Sequence, residues 1–331
     1  MWSLSKADTN KKKDHISVCI CTYKRPELLQ RLLQEVCNQK TEGLFDYSIV
    51  VVDNDDTKSA KNTVISLKES HQIGIHYFCE TKQNISLARN KAIKEAQGDW
   101  IVFIDDDEFP EENWLFQLYI TAKEFRADGV LGPVKPHFRV EPPEWIVKGK
   151  LLERRSFATG SIMKDVREMR SGNVLLSRKI INEKELPFDP RFGRTGGEDT
   201  DFFTRRLAMG CFFVWCDEAI VYETVPPERF KRAYLLKRAL LRGISTAKRK
   251  RLDIFNLFKS LIAVLLYTSA LPMLLMTSHH YFMRYLIKDC DHIGKLLAAC
   301  GVELVKERSF EPDKIMTRAS GLEVRSTEAI L

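Results

Sequence analysis

From Ile16 onward, short apolar runs alternate with amphipathic stretches. "ISVCICT" leads into "PELLQRLLQEVCNQ", where Leu28, Leu29, Leu32, Leu33 and Val36 recur at helical spacing, with Pro26 suited to the first turn. "YSIVVVDN", a polar helix-like stretch over 57–70, "IHYFCE", a helix over 85–97 stopped by Gly98, and "WIVFIDDD" continue the alternation. Runs apolar on both faces predict a mostly parallel sheet covered by helices, an α/β fold. After Phe125 the regularity weakens. A proline-punctuated segment and a charged, loop-like stretch over 148–170 precede a short strand, "GNVLLSR", and a helix predicted from near Glu198 to Gly210, with Phe202, Phe203 and Leu207 as its buried stripe.

Beyond residue 251 the composition turns apolar. Ser260 to Thr277 contains 18 residues without a charge. As a helix this stretch is about 27 Å long against a hydrocarbon core of about 30 Å, which fits a single span, a re-entrant segment or an interfacial helix pair; a buried core helix of a soluble domain is the plain alternative, disfavoured by the basic run before it. The chain has 52 Lys plus Arg against 45 Asp plus Glu, a formal +7. Ten of the basic residues fall between Arg229 and Arg251 with no acid among them, so the rest of the chain is net negative. A nucleic-acid partner is therefore not expected. The basic run is expected beside anionic lipid headgroups, attaching the protein through its C-terminal region to the cytoplasmic face of the inner membrane. Eight cysteines without a CxxC pair indicate neither a disulfide framework nor zinc, and the polar N-terminus lacks the apolar core of a signal peptide. The expected organisation is a lead-in over 1–14, a catalytic domain over 15–228 divided near 132, a membrane-associating helical region over 229–304, and a polar tail over 305–331.

Ligands of parallel α/β sheets bind at the carboxyl ends of the strands, where Thr22 to Arg25, Asp53 to Asp56 and Asp105 to Asp107 all fall. The run "FIDDDEFP" ends a buried-type strand in three adjacent carboxylates. Two of them at i and i+2 can approach Mg or Mn, which neutralises a diphosphate; a solvated acidic loop is the plain alternative. Asp53 is either an acceptor for a base imide or a turn-forming residue. Arg89 either contacts a phosphate or lies on a helix surface. In "GGEDTD", paired glycines precede Glu198, Asp199 and Asp201, more acid than a helix cap needs, which favours a general base among them.

In order and spacing, "VCICTYKRPELL", "VVVDND", "LARNKAI", "FIDDDEFP" and "GGEDTDFFTRR" resemble the inverting glycosyltransferases of family 2, with the GT-A fold, and within them the bacterial exopolysaccharide branch typified by succinoglycan glucosyltransferases. The resemblance spans about Ile16 to Arg242. It implies donor contacts from Thr22, Arg25, Asp53 and Arg89, and metal ligation by Asp105 and Asp107. It also implies a donor-facing Asp106, a catalytic base at Asp199 with Glu198 as the lesser claimant, and Glu223 in the place of a late metal ligand. Many relatives carry a glycine before "ARN" where this chain has "QNISLARN"; the "QxxRW" motif of processive synthases is missing, which implies single additions. The implied reaction moves one sugar from a nucleotide-sugar, expected to be UDP-linked, to a glycan or lipid-linked glycan. The alternatives are a nucleotidyltransferase, which usually carries a glycine-rich loop after the first strand, and a membrane-bound sugar-nucleotide-binding protein without transfer.

Overall fold

The computed structural model describes residues 13–181, 185–249 and 254–302. The expected lead-in, apart from Lys13 and Asp14, and the expected tail therefore lie outside the described residues. Four parallel strands form the first half of a seven-stranded sheet: β1 (Asp14–Thr22), β2 (Phe45–Asp53), β3 (Ile75–Cys79) and β4 (Trp100–Asp105). Helices α1 (Pro26–Cys37), α2 (Lys61–Ser70) and α3 (Ile85–Glu95) connect them, as crossover geometry requires.

Successive strand residues bury on opposite faces. Val18, Ile20, Ile49 and Val51 pack with Leu29, Leu32 and Leu33 of α1 and with Trp114 and Leu118 of α4 (Trp114–Phe125). Cys19, Val50, Val52 and Phe103 face Ala88 and Ala92 of α3 and Phe202 and Phe203 of α6 (Glu198–Ala208). This two-sided burial is why the runs read as continuously apolar.

The second half departs from the parallel pattern. β8 (Asn173–Ser177) arrives from irregular chain and pairs antiparallel to β4; β6 (Gly129–Leu131) and β9 (Phe213–Trp215) complete the order β3-β2-β1-β4-β8-β6-β9. A second sheet of β5 (Glu108–Pro110), β10 (Val221–Val225) and β7 (Val134–Phe138) stands beside the end of β4. Within the charged stretch over 148–170, the only helix of more than three residues among the described residues is the last part of α5 (Glu144–Gly149).

Three helices follow the sheets: α7 (Arg232–Arg249), α8 (Ile254–Thr277) and α9 (His279–Ala299). α9 packs on both others. It crosses α7 at Gly243 and Gly294, where an added Cβ would sit 2.0 Å from the Asp291 carbonyl oxygen or 2.2 Å from that of Leu240, so only glycine lets the backbones meet. Arg242 closes the crossing with a 2.8 Å ion pair to Asp291. α8 extends six residues before the uncharged stretch and runs through Pro272. Phe258, Leu261, Ile262, Leu265 and Leu266 on its outer face are exposed.

Candidate active site

Backbone register aligns Thr22 with Asp53 and Cys21 with Asp105, bringing the three polar strand ends to one edge of the sheet. There a cleft of ≈ 390 Å³ opens, bordered by Thr22, Arg25, Arg89, the acids from Asp105 to Asp107, and the start of α6. The helix start is shaped by Gly196 and Gly197, whose φ values of 80° and 107° suit residues without a Cβ. That turn delivers Glu198 and Asp199 into the cleft.

Arg89 joins the two halves of the site. Its Nη1 donates to Glu198 Oε1 at 2.8 Å and to Asp199 Oδ1 at 3.0 Å, and its Nη2 to Asp105 Oδ1 at 3.4 Å. Burial opposes its charge, but Asp199, Glu198 and Asp105 together hold the guanidinium above the ordinary arginine range. It is thus a buried hub among acids, neither an exposed helix residue nor one with its guanidinium left free for a nucleotide.

Glu198 and Asp199 are unlike in their surroundings. Glu198 is 9% exposed, and burial followed by the neighbouring Asp199 raises its pKa. Asp199 Oδ1 also accepts a 2.6 Å bond from Ser171, whereas its Oδ2 has no hydrogen-bond partner among the described residues. One oxygen is held and the other is available.

The acidic run is braced from β1 and its following loop. Thr22 Oγ1 donates to Asp106 Oδ2 at 2.8 Å, while Arg25 Nη1 bonds Asp106 Oδ1 and Asp107 Oδ2, each at 3.2 Å. Asp106 is therefore turned toward Thr22 and Arg25, and its expected donor-sugar contact is replaced by a bracing role. Burial, then Asp106 and Asp105, push the Asp107 carboxyl up to about 7; burial, then Asp105, also raises Glu108 well above its ordinary value. Such crowding favours a cation.

Among the described residues no three acidic, cysteine or histidine side chains form a ready metal-ligand set. The donor chemistry nevertheless fits: hard carboxylate oxygens suit Mg or Mn. Glu223 does not extend that set, because both of its oxygens are engaged, Oε2 by Arg154 and Oε1 by Arg229, whereas the arginines at Asp105 and Asp107 each reach one oxygen only.

Asp53 is placed differently from the base-binding expectation. It is fully buried, with Oδ1 accepting from the Asp55 amide and Oδ2 from the Ala60 amide and Tyr77 hydroxyl, so the turn-forming alternative describes its position. Gln83, which no sequence pattern marks, borders the cleft with a buried Nε2 that has no hydrogen-bond partner among the described residues. Ser171 and Arg170 are also unmarked; both come from the charged stretch or its edge, which has no periodicity. Of the basic run expected beside lipid, Arg229, Arg238 and Arg242 instead line a pocket adjoining the cleft.

The family model Glycosyl transferase family 2 matches residues 17–183. The chain is 35% identical over 233 residues to the succinoglycan biosynthesis protein ExoM of Rhizobium meliloti (strain 1021), covering 69% of this chain and 73% of the relative. It is 26% identical to the hyaluronan synthase of Pasteurella multocida over 64% of this chain, which spans only 25% of that larger protein. Among solved structures, S. aureus TarS 1-349 in complex with UDP superposes with a TM-score of 0.51 at 15% identity, covering 90% of this chain and 98% of that one. This last likeness is one of fold.

Proposed function

The chain belongs to glycosyl transferase family 2, and from that premise we propose that it moves a single sugar from a UDP-sugar, with inversion, to a glycan or lipid-linked glycan in bacterial surface polysaccharide synthesis. It is a glycosyltransferase, which displaces the nucleotidyltransferase alternative. The observation that carries the mechanism is the asymmetry of Asp199, one carboxylate oxygen held by Arg89 and Ser171 and the other open. The open oxygen takes the acceptor hydroxyl proton as the acceptor oxygen bonds to the anomeric carbon, while the bond from that carbon to the UDP oxygen breaks and its electron pair leaves with the diphosphate. One carboxylate suffices because the diphosphate needs no protonation to leave, unlike the alkoxide of glycoside hydrolysis.

Asp105 and Asp107 are the residues that would hold Mg or Mn. When bound, that ion supplies positive charge against the diphosphate. Arg89 keeps Glu198, Asp199 and Asp105 in one arrangement, and Arg25 braces the strand end. The TarS complexes with UDP and with UDP-GlcNAc support the choice of donor class.

Attachment is proposed through α8. One described helix, Ile254–Thr277, is long and apolar enough to cross a membrane, and only 6% of its most apolar window is buried. A full span would draw α9 with it, including Arg284, Lys288 and Asp291, against a steep penalty for charge in hydrocarbon. We therefore favour an interfacial helix pair on the cytoplasmic face of the inner membrane, with the outer side of α8 in the lipid.

Transfer and donor binding separate the roles. Asp199→Asn is expected to retain UDP binding and lose ~10²-fold or more in transfer. Normal transfer by Asp199→Asn, together with its loss in Glu198→Gln, would move the base to Glu198.

A further inference from the structure

A second cavity of ≈ 320 Å³ adjoins the cleft, between β10, the segment around Arg154 and Arg170, and helices α7 and α9. At about 30 Å³ per water it holds roughly ten, room for more than a lone ion. Six arginines line it, against three glutamates. Arg154 and Arg229 share Glu223, and Arg242 is paired with Asp291. Arg170 and Arg238 have no acidic partner within ion-pair distance among the described residues. Burial, and then Arg154 beside Arg170, pull the Arg170 pKa down; burial does the same at Arg238 despite the neighbouring Tyr234, with Arg229 and Arg154 adding to the lowering.

Folded proteins rarely gather like charges around an open cavity unless an opposite charge visits it. Planar guanidinia are suited to phosphate oxygens. Arg154, Arg170, Glu223 and Arg229 border both cavities, so an occupant here continues into the cleft that contains Asp199. The far wall includes Leu235 and Ala239 of α7 and Ile287 of α9, the helix on which apolar α8 packs.

We propose that this arginine-lined pocket binds a diphosphate carried by the acceptor, the group that joins its saccharide to a lipid. The proposal rests on the glycosyltransferase reading for its acceptor, but its site is separate from the donor diphosphate at Asp105. Arg238 lines this pocket and not the cleft, which makes it the discriminating residue.

The test titrates full-length protein in detergent, saturated with UDP and with Mg in excess, using farnesyl diphosphate or inorganic pyrophosphate in a calorimeter. Farnesyl diphosphate is expected to bind despite UDP, and Arg238→Gln to weaken it by about tenfold or more, the loss of one charge-assisted bond. Unchanged UDP affinity in the same variant serves as the control for folding. Absence of binding once UDP is present, or equal binding by Arg238→Gln, overturns the site. Pyrophosphate binding as tightly as farnesyl diphosphate overturns the lipid-linked source, whereas a clear preference for the farnesyl compound supports it. Failure of wild-type protein to bind UDP at all would instead strike the donor reading.

Discussion

Replacing Arg89 by Met preserves much of its length and removes the charge shared by Glu198, Asp199 and Asp105. The bonds lost measure 2.8, 3.0 and 3.4 Å. The Asp105 side chain is 46% exposed, so water replaces most of its share, while Glu198 and Asp199 at 11% and 23% dominate. Removing one side of a buried charge network costs about 3–5 kcal/mol, and urea unfolding near pH 7 should show a loss of that size. Glu198 already has a raised pKa, and without Arg89 it rises further. An acid whose folded pKa exceeds its unfolded value loses stability as pH climbs between the two, so the deficit should be smaller near pH 5 and grow toward neutrality. Adding Glu198→Gln in the Arg89→Met background should restore part of the loss, because the stranded charge is gone. UDP affinity should remain near wild type. A variant that unfolds within about 1 kcal/mol of wild type at both pH values, yet loses UDP binding, would refute the hub and make Arg89 a nucleotide ligand.

Asp105→Ala and Asp107→Ala should each abolish the metal-dependent part of UDP binding by calorimetry without destabilising the apoprotein, since each removes a carboxylate from a crowded acidic run; identical affinity with and without Mn in both would remove the metal assignment. Phe258, Leu265 and Leu266 are 60%, 64% and 63% exposed on α8, so changing all three to Gln should weaken flotation with anionic vesicles by roughly 10²-fold, taking about 1 kcal/mol per side chain. Undiminished flotation of this variant would dismiss α8 as the attachment. Asp14 accepts from Lys123, Tyr119 and Trp100; burial tends to raise its pKa, but these bonds together lower it. Its stabilising contribution is present above the unfolded value of 3.8 and lost as pH falls through the lower folded value, so Asp14→Asn should cost about 1 kcal/mol at pH 7 and little near pH 2, measured by thermal unfolding.

The half from Ile16 to Asp105 was legible because a sheet covered on both faces needs apolar residues at nearly every position, and because Pro26 and Gly98 punctuate its helices. The second sheet was not: β5, β7 and β10 have three to five residues each, with Lys135, Pro136 and His137 interrupting any two-residue repeat. The acids of the site were visible as clusters at strand ends, but their partners were not. Arg89 becomes a hub only when α6 arrives 109 positions later, and Asp53 is enclosed by Ala60 and Tyr77 from separate elements. Arg154, Arg170 and Arg238 stand far apart in the chain, two of them in aperiodic segments, and only tertiary packing makes them one surface.

The crossing of α7 and α9 at Gly243 and Gly294 also sets a height. An enzyme on a flexible tether samples many distances from its surface, with a spread that grows as the square root of tether length. Here α9 packs on both α8 and α7, and α7 itself walls the arginine pocket, so packed helices join the outer face of α8 to the region of the cleft. If α8 rests in lipid and Asp199 is the base, as proposed, saccharides of different length would present their growing ends at different elevations, and only a matching one would bring its hydroxyl to that carboxylate. Each transfer would then lift the new end beyond that elevation. A chain that adds one sugar and stops would then need no timing device, because its own product no longer fits the gauge.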